Sequence, residues 1–174
     1  MAYVMVDVEA DGPIPGDFSM ICFGAVVVTE ELDKTFYAHL KPVSQNWIPE
    51  ALSVSGFTRT QTMSFDDPEK VMNRFAGWLK EHVKGLPIFI SDNNGFDWQF
   101  INWYFWHYTG KNPFGHSSMN LSSLYKGFVK STSGNFRHLR RTRHTHNPVD
   151  DAKGNAEALL AMRNVGLKIA LRSK

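Results

Sequence analysis

Asp7 and Glu9 are separated by one residue in Tyr3-Val4-Met5-Val6-Asp7-Val8-Glu9-Ala10-Asp11-Gly12-Pro13. The valines predict a strand, and a side-chain period of two turns both carboxylates to one face while Val6 and Val8 turn to the other. Two anions held side by side repel unless a proton or cation compensates, so the pair points to a divalent-metal site. Two later segments answer it. In Ile88-Phe89-Ile90-Ser91-Asp92-Asn93-Asn94-Gly95-Phe96-Asp97 an apolar strand breaks at a Ser/Asp/Asn/Gly cluster into a helix beginning near Asp97. In His146-Asn147-Pro148-Val149-Asp150-Asp151 a proline and adjacent acids start the last helix. Four carboxylates and one histidine therefore fall at element ends, where α/β folds build their sites.

The three segments together, Asp-x-Glu, Asn-x-x-Phe-Asp and His-x4-Asp in that order, resemble the exonuclease motifs of the DnaQ-like, DEDDh-type 3′-5′ exonucleases, a family similar to oligoribonuclease, RNase T and proofreading domains. The resemblance runs from Asp7 to about Asn155. It implies that Asp7, Glu9, Asp97 and Asp151 bind metal and that His146 is the general base. It also implies a nucleotide pocket lined by Ala10, Asp11, Gly12, Pro13, Phe57, Asn93 and Phe96. Asp11-Gly12 stands where many relatives have Thr-Gly, Pro13 replaces an apolar residue that packs on the terminal base, and Ser55-Gly56-Phe57-Thr58 resembles a His-Gly-Ile-Thr tract. The catalytic set is intact, and the departures fall on the pocket.

The chemistry follows from the phosphodiester, whose negative charge repels nucleophiles. Two divalent cations neutralise it, acidify water and stabilise the leaving oxygen. Hard oxygen ligands suit Mg²⁺ or Mn²⁺, two ions per site, with Asp7 as the bridging carboxylate. Imidazole titrates near neutrality, which suits His146 to accept the proton of the attacking water. His144 is the rival, but no acid follows it by five positions. His39, His82, His107 and His116 have no carboxylate at motif spacing, and turn or capping roles explain Asp11, Asp17 and Asp92 as well as support of the site does.

The net charge of +2 conceals a division of the chain. Between Trp98 and Val149 there is no Asp or Glu, yet Lys111, Lys126, Lys130, Arg137, Arg140, Arg141 and Arg143 fall there, leaving twelve basic against seventeen acidic residues elsewhere. An anionic polymer, single-stranded RNA or DNA, fits that asymmetry. Arg140, Arg141 and Arg143, just before His146, are placed to hold phosphates outside the reaction centre. One cysteine, Cys22, lies in an apolar run and predicts a buried, reduced thiol. No run approaches the roughly 18 apolar residues of a membrane span, and Asp7, Glu9 and Asp11 stand where a signal peptide would be apolar. The expectation is a cytoplasmic protein without membrane contact.

These side chains need a scaffold. The patterns predict strands at Tyr3–Glu9, Met20–Thr29, Asp33–Leu40 and Pro87–Ser91, the first three an antiparallel meander. A poor fifth strand is read at Ser118–Leu121. Helices are predicted at Pro49–Val54, Pro68–Val83, Phe96–Thr109, Leu121–Val129 and Val149–Val165. A chain of 174 residues suits a single domain, 1–174. The expected class is α/β with a mixed central sheet and helices on both faces; the resemblance makes it an RNase H-like fold. On the helix from Phe96, Asp97, Ile101, Tyr104 and Tyr108 share a face and Trp106 projects opposite, so a second apolar side predicts a homodimer in preference to a base-stacking platform.

The leading functional expectation is a metal-dependent 3′-5′ exonuclease acting on single-stranded ends and releasing nucleoside 5′-monophosphates, with RNA slightly favoured by the His-x-x-x-Asp-Asp spelling. The alternatives are a non-catalytic nucleic-acid-binding module on the same fold and a phosphodiesterase for short or modified oligonucleotides. Helical periodicity separates the adjacent acids: Asp151 falls at the edge of the buried stripe Ala152, Ala156, Leu159, whereas Asp150 shares a direction with Glu157 and Ala161. Asp151→Asn is therefore expected to abolish metal-dependent cleavage, while Asp150→Asn keeps most of it at a stability cost of roughly 0.3–1 kcal/mol. Oligonucleotide cleavage and thermal melts of the two variants check this, and the reverse ranking would shift the third motif by one residue.

Overall fold

The computed structural model describes residues 2–171. Five strands, β1 (Ala2–Ala10), β2 (Met20–Val27), β3 (Thr35–His39), β4 (Pro87–Ser91) and β5 (Ser118–Asn120), form one sheet in the order β3-β2-β1-β4-β5. The β1-β2 and β2-β3 pairs are antiparallel, the β1-β4 and β4-β5 pairs parallel. The helices are α1 (Pro49–Val54), α2 (Arg59–Thr62), α3 (Pro68–His82), α4 (Asn94–Thr109), α5 (Leu121–Phe128) and α6 (Pro148–Asn164), with a 3₁₀ turn at Arg137–Leu139.

Strand β1 is the middle of the sheet, and its alternation sorts the layers. Val4, Val6, Val8 and Ala10 pack with Val71, Phe75 and Leu79 of α3 and with Phe100, Ile101 and Tyr104 of α4. Met5 points the other way, into Ala152, Ala156 and Leu159 of α6 and Leu121 of α5. Asp7 and Glu9 continue the Met5 row, as the period of two requires. Beta-2 is buried along its whole length, which makes the early run of Val and Ile a two-sided strand.

The meander, all five helices read from the patterns and the short fifth strand are present. Helix α2 is additional, and its four residues are too few for a periodic signal; it is closed by a Thr58/Gln61 capping box. Helix α4 begins at Asn94, two residues before the expected start. Asn94 Oδ1 accepts from Ser118 Oγ at 2.9 Å and its Nδ2 donates to Met119 O at 3.0 Å, so one side chain ties the start of α4 to β5. Tertiary hydrogen bonds of this kind sustain a strand whose own three residues, Ser-Met-Asn, carry little strand propensity.

Helix α6 reaches the carboxylate face because of Gly24. Gly24 sits opposite Asp7 in the β1-β2 register, and a Cβ there would overlap the backbone of Pro148 and Val149. Its missing side chain lets the first turn of α6 lie against the sheet. Gly24→Ala is expected to push that turn outward, lowering stability by about 1–3 kcal/mol as overpacked cores do and impairing any activity that needs Asp151. Urea melts and activity measured on the same sample test it; wild-type values of both would remove the close approach as a requirement.

Candidate active site

Each motif arrives on a different element end. Asp7 and Glu9 lie in the second half of β1, beyond the Ala2–Met5 stretch that pairs with β4. Where β4 has ended, Asp97 in the first turn of α4 takes over as acceptor: its Oδ1 receives the Val8 N–H at 3.1 Å. Its Oδ2 is buried with no hydrogen-bond partner. A shift in the β1-β2 register between Glu9 and Ala10 bends the strand end beside the acids.

Asp151, in the first turn of α6, is fully buried and heavily engaged. Its Oδ1 accepts from Arg140 at 2.8 Å and from Thr145 N–H at 3.2 Å, and lies 2.9 Å from His144 Nδ1. Its Oδ2 accepts the His146 N–H at 2.9 Å. That bond holds His146 in a left-handed turn, φ +61°, uncommon for a side chain with a Cβ. The His146 ring is thereby presented to β1, with Nδ1 3.6 Å from Glu9 Oε1. First and third motifs meet through this imidazole.

The electrostatics record the crowding. Burial, then Asp97, Glu9 and Asp151, raise the Asp7 carboxyl well above its ordinary range, and Arg140 opposes them. Asp97 is pushed up to about 8, mainly by burial, with the Ser91 hydroxyl and the Val8 amide acting against it. Glu9 rises to about 7, again by burial, and His146 pulls it back. Hard-oxygen donors that resist ionisation, one of them buried with an unpartnered oxygen, fit a divalent cation.

Against this geometry the comparisons are specific. The RNase T family, described as Exonuclease, matches residues 4–159. The chain belongs to that exonuclease family. It is 42% identical over 129 residues to the 3′-5′ DNA exonuclease Cap18 of Escherichia coli, spanning 72% of this chain and 68% of that protein. Among solved structures, the nuclease domain of 3′hExo, a DEDDh family member bound to rAMP, shares the fold with a TM-score of 0.79 at 19% identity, covering 99% of this chain and 96% of that one. E. coli Exonuclease I in complex with a dA16 oligonucleotide gives 0.73 at 14% identity, covering 94% and 41%. The fold of this exonuclease is the RNase H-like DEDDh fold, as the motifs implied.

The basic loop divides in a way the sequence did not indicate. Arg141 and Arg143 are exposed, but Arg140 turns inward to Asp151 and its side chain is only 9% exposed. The expectation that Arg140 holds substrate phosphates away from the reaction centre is therefore corrected: its guanidinium is committed to the third-motif carboxylate. Room for it comes from Gly154, where a Cβ would overlap the guanidinium. Glu157, two turns into α6, anchors the loop by accepting from the N–H groups of Arg141 and Thr142 and from the Thr142 hydroxyl. These hydrogen bonds outweigh its partial burial and lower its pKa.

The expected pocket residues are placed unequally. Pro13 and Asn93 are exposed, Phe57 and Phe96 half-buried, and Ala10 buried. Phe57 packs on His39 and Phe65, and Phe96 on Phe100. The Asp11 side chain does not open to the pocket: it is buried, accepts from Ser19 N–H and pairs with Arg59 at 2.7 Å. Gly12 leaves space for the Phe18 ring. Arg59, with its guanidinium 6.0 Å from the exposed Trp47 ring, was missed as a neighbour of the motifs, whereas His144, read as the rival to His146, lies against Asp151. A 48-residue separation between Asp11 and Arg59 gives no local pattern to find.

The raised carboxyls set a pH dependence. An acid whose folded pKa exceeds its unfolded value stabilises the fold fully below the unfolded pKa and loses that contribution as pH rises through the folded one. For Glu9 the rise is from 4.5 to about 7 and for Asp97 from 3.8 to about 8. The metal-free exonuclease should therefore lose thermal stability between about pH 5 and about pH 8, with the loss reduced in Asp97→Asn. Melts in chelator across that range test it, and a parallel profile in the variant would remove Asp97 as a source.

Proposed function

We propose that this exonuclease hydrolyses single-stranded nucleic acid from the 3′ end to nucleoside 5′-monophosphates in a metal-dependent reaction. The observation that carries the reading is the junction at His146: its amide is held by Asp151 while its ring faces Glu9. One residue thus joins a proton acceptor to two of the carboxylates that would hold cations. Asp7, Glu9, Asp97 and Asp151 would hold two Mg²⁺ or Mn²⁺ ions. When bound, such ions supply charge neutralisation at the phosphate and acidify water. His146 accepts the proton of the attacking water, and its half-exposed ring can pass it to solvent. Arg140 fixes the orientation of Asp151, and exposed Arg141 and Arg143 hold phosphates further along the strand.

The sequence likeness to a DNA exonuclease supports DNA as the substrate, where the spelling of the third motif leaned to RNA. Trp106, 48% exposed on α4, supports the homodimer reading. Among the described residues no helix is long and apolar enough to cross a membrane.

The deciding assay uses oligodeoxynucleotides and oligoribonucleotides labelled at either end, with Mg²⁺, Mn²⁺ or EDTA. Stepwise shortening from the 3′ end that EDTA stops is the expected result, with His146→Ala lowering the rate roughly 10²–10⁴-fold. Tight binding without shortening would establish the binding-module alternative instead. Cleavage confined to dinucleotides would favour the short-oligonucleotide phosphodiesterase.

A further inference from the structure

Beside the carboxylates lies one cluster that mixes nitrogen with oxygen. Donor atoms of His144, His146 and Asp151 all lie within 4.8 Å of one another. His144 Nδ1 is 2.9 Å from Asp151 Oδ1, and the two imidazoles meet edge to face with centroids 4.4 Å apart. The His144–Asp151 pair meets by distance alone, and the His146 ring lies edge-on to His144, so both imidazoles border the same carboxylate. Both rings are more than half exposed and can rotate without disturbing the core, while Asp151 is fixed by burial.

Donor chemistry separates this cluster from its neighbours. Mg²⁺ takes oxygen ligands and keeps its waters, whereas Zn²⁺ accepts imidazole and carboxylate together at roughly 2.0–2.2 Å in tetrahedral geometry. Bonds of that length place ligand atoms roughly 3.3 Å apart. The present separations, from 2.9 Å at the His144–Asp151 contact up to 4.8 Å, bracket this value, so small rotations suffice.

We propose that His144, His146 and Asp151 form a Zn²⁺-binding site, and that its occupation stops the exonuclease by engaging the His146 nitrogen lone pair and an oxygen of Asp151. Zinc binds imidazole through an unprotonated ring nitrogen, so any proton on the ligating nitrogen leaves to solvent. Glu9, with Oε1 3.6 Å from His146 Nδ1, can complete a fourth position. The inhibitory effect rests on the role given to His146 above; the binding does not.

The test titrates ZnCl₂ calorimetrically into the full chain in excess Mg²⁺, comparing wild type, His144→Gln, His146→Gln and Asp7→Asn. One tight site is expected in wild type and in Asp7→Asn. Each histidine variant should bind at least about tenfold more weakly, since even outer partners of a metal site are worth that much. Co²⁺ in place of zinc should give the intense visible absorption of a four-coordinate ion in wild type and Asp7→Asn, and not in the histidine variants. In the cleavage assay, zinc should inhibit wild type and be needed at about tenfold higher concentration for His144→Gln. Equal zinc affinity in wild type and both histidine variants, or loss in Asp7→Asn alone, would overturn the site by placing zinc among the carboxylates. Zinc binding in the expected pattern by a chain that cleaves no oligonucleotide would overturn the exonuclease mechanism and its inhibition, and leave the site standing.

Discussion

Mutual repulsion among crowded carboxylates, two of them buried, is the constraint around which this protein is arranged. Asp7 and Glu9 come from the middle strand of the sheet, and Asp97 and Asp151 from the first turns of two helices that cover opposite faces of it. A helix N-terminus offers unpaired N–H groups and a favourable dipole, so it is a place where an acid can be buried at reduced cost. The compensation is incomplete. Asp97 keeps an unpartnered oxygen, and Asp7, Glu9 and Asp97 all hold their protons more tightly than free carboxyls do. A site in that condition is preorganised for a cation, because binding one relieves strain that folding alone leaves in place.

Asp151 shows how the same constraint shapes a loop. One carboxylate organises Arg140, the amides of Thr145 and His146, and the His144 ring. Its negative charge turns a basic segment inward at one arginine and imposes the left-handed backbone at His146. Glu157 holds the other end of the segment, so His146 is positioned by two acids of one helix. The remaining basic side chains, Arg141 and Arg143, stay outside, where a polyanion can reach them. Small residues make the assembly possible: Gly24 admits the first turn of α6 and Gly154 admits the Arg140 guanidinium.

Much of the fold was legible because its signals are local. The Val-Met-Val-Asp-Val-Glu alternation, the Asp67-Pro68 helix start and the Ser/Asp/Asn/Gly break before α4 each depend on neighbours within a few residues. The reading weakened where stability comes from elsewhere. Strand β5 has three residues and is sustained by β4 and the Asn94 side chain, and α2 is one capped turn. The acids Asp150 and Asp151 were separable in advance because 100° per residue decides which of two neighbours is buried, and the structure buries Asp151.

By itself, then, the sequence determined which side chains could bear the chemistry, the order of the elements that carry them and the face on which each acid lies, since residue type and short-range period encode all three. Only the tertiary structure decided how the charges are shared. The pairing of Asp11 with Arg59 and of Asp151 with Arg140, the meeting of His146 with Glu9 and the approach of His144 to Asp151 join segments through packing. Which cation reaches which carboxylate depends on burial and on space vacated by glycines. Neither quantity has a period along the chain.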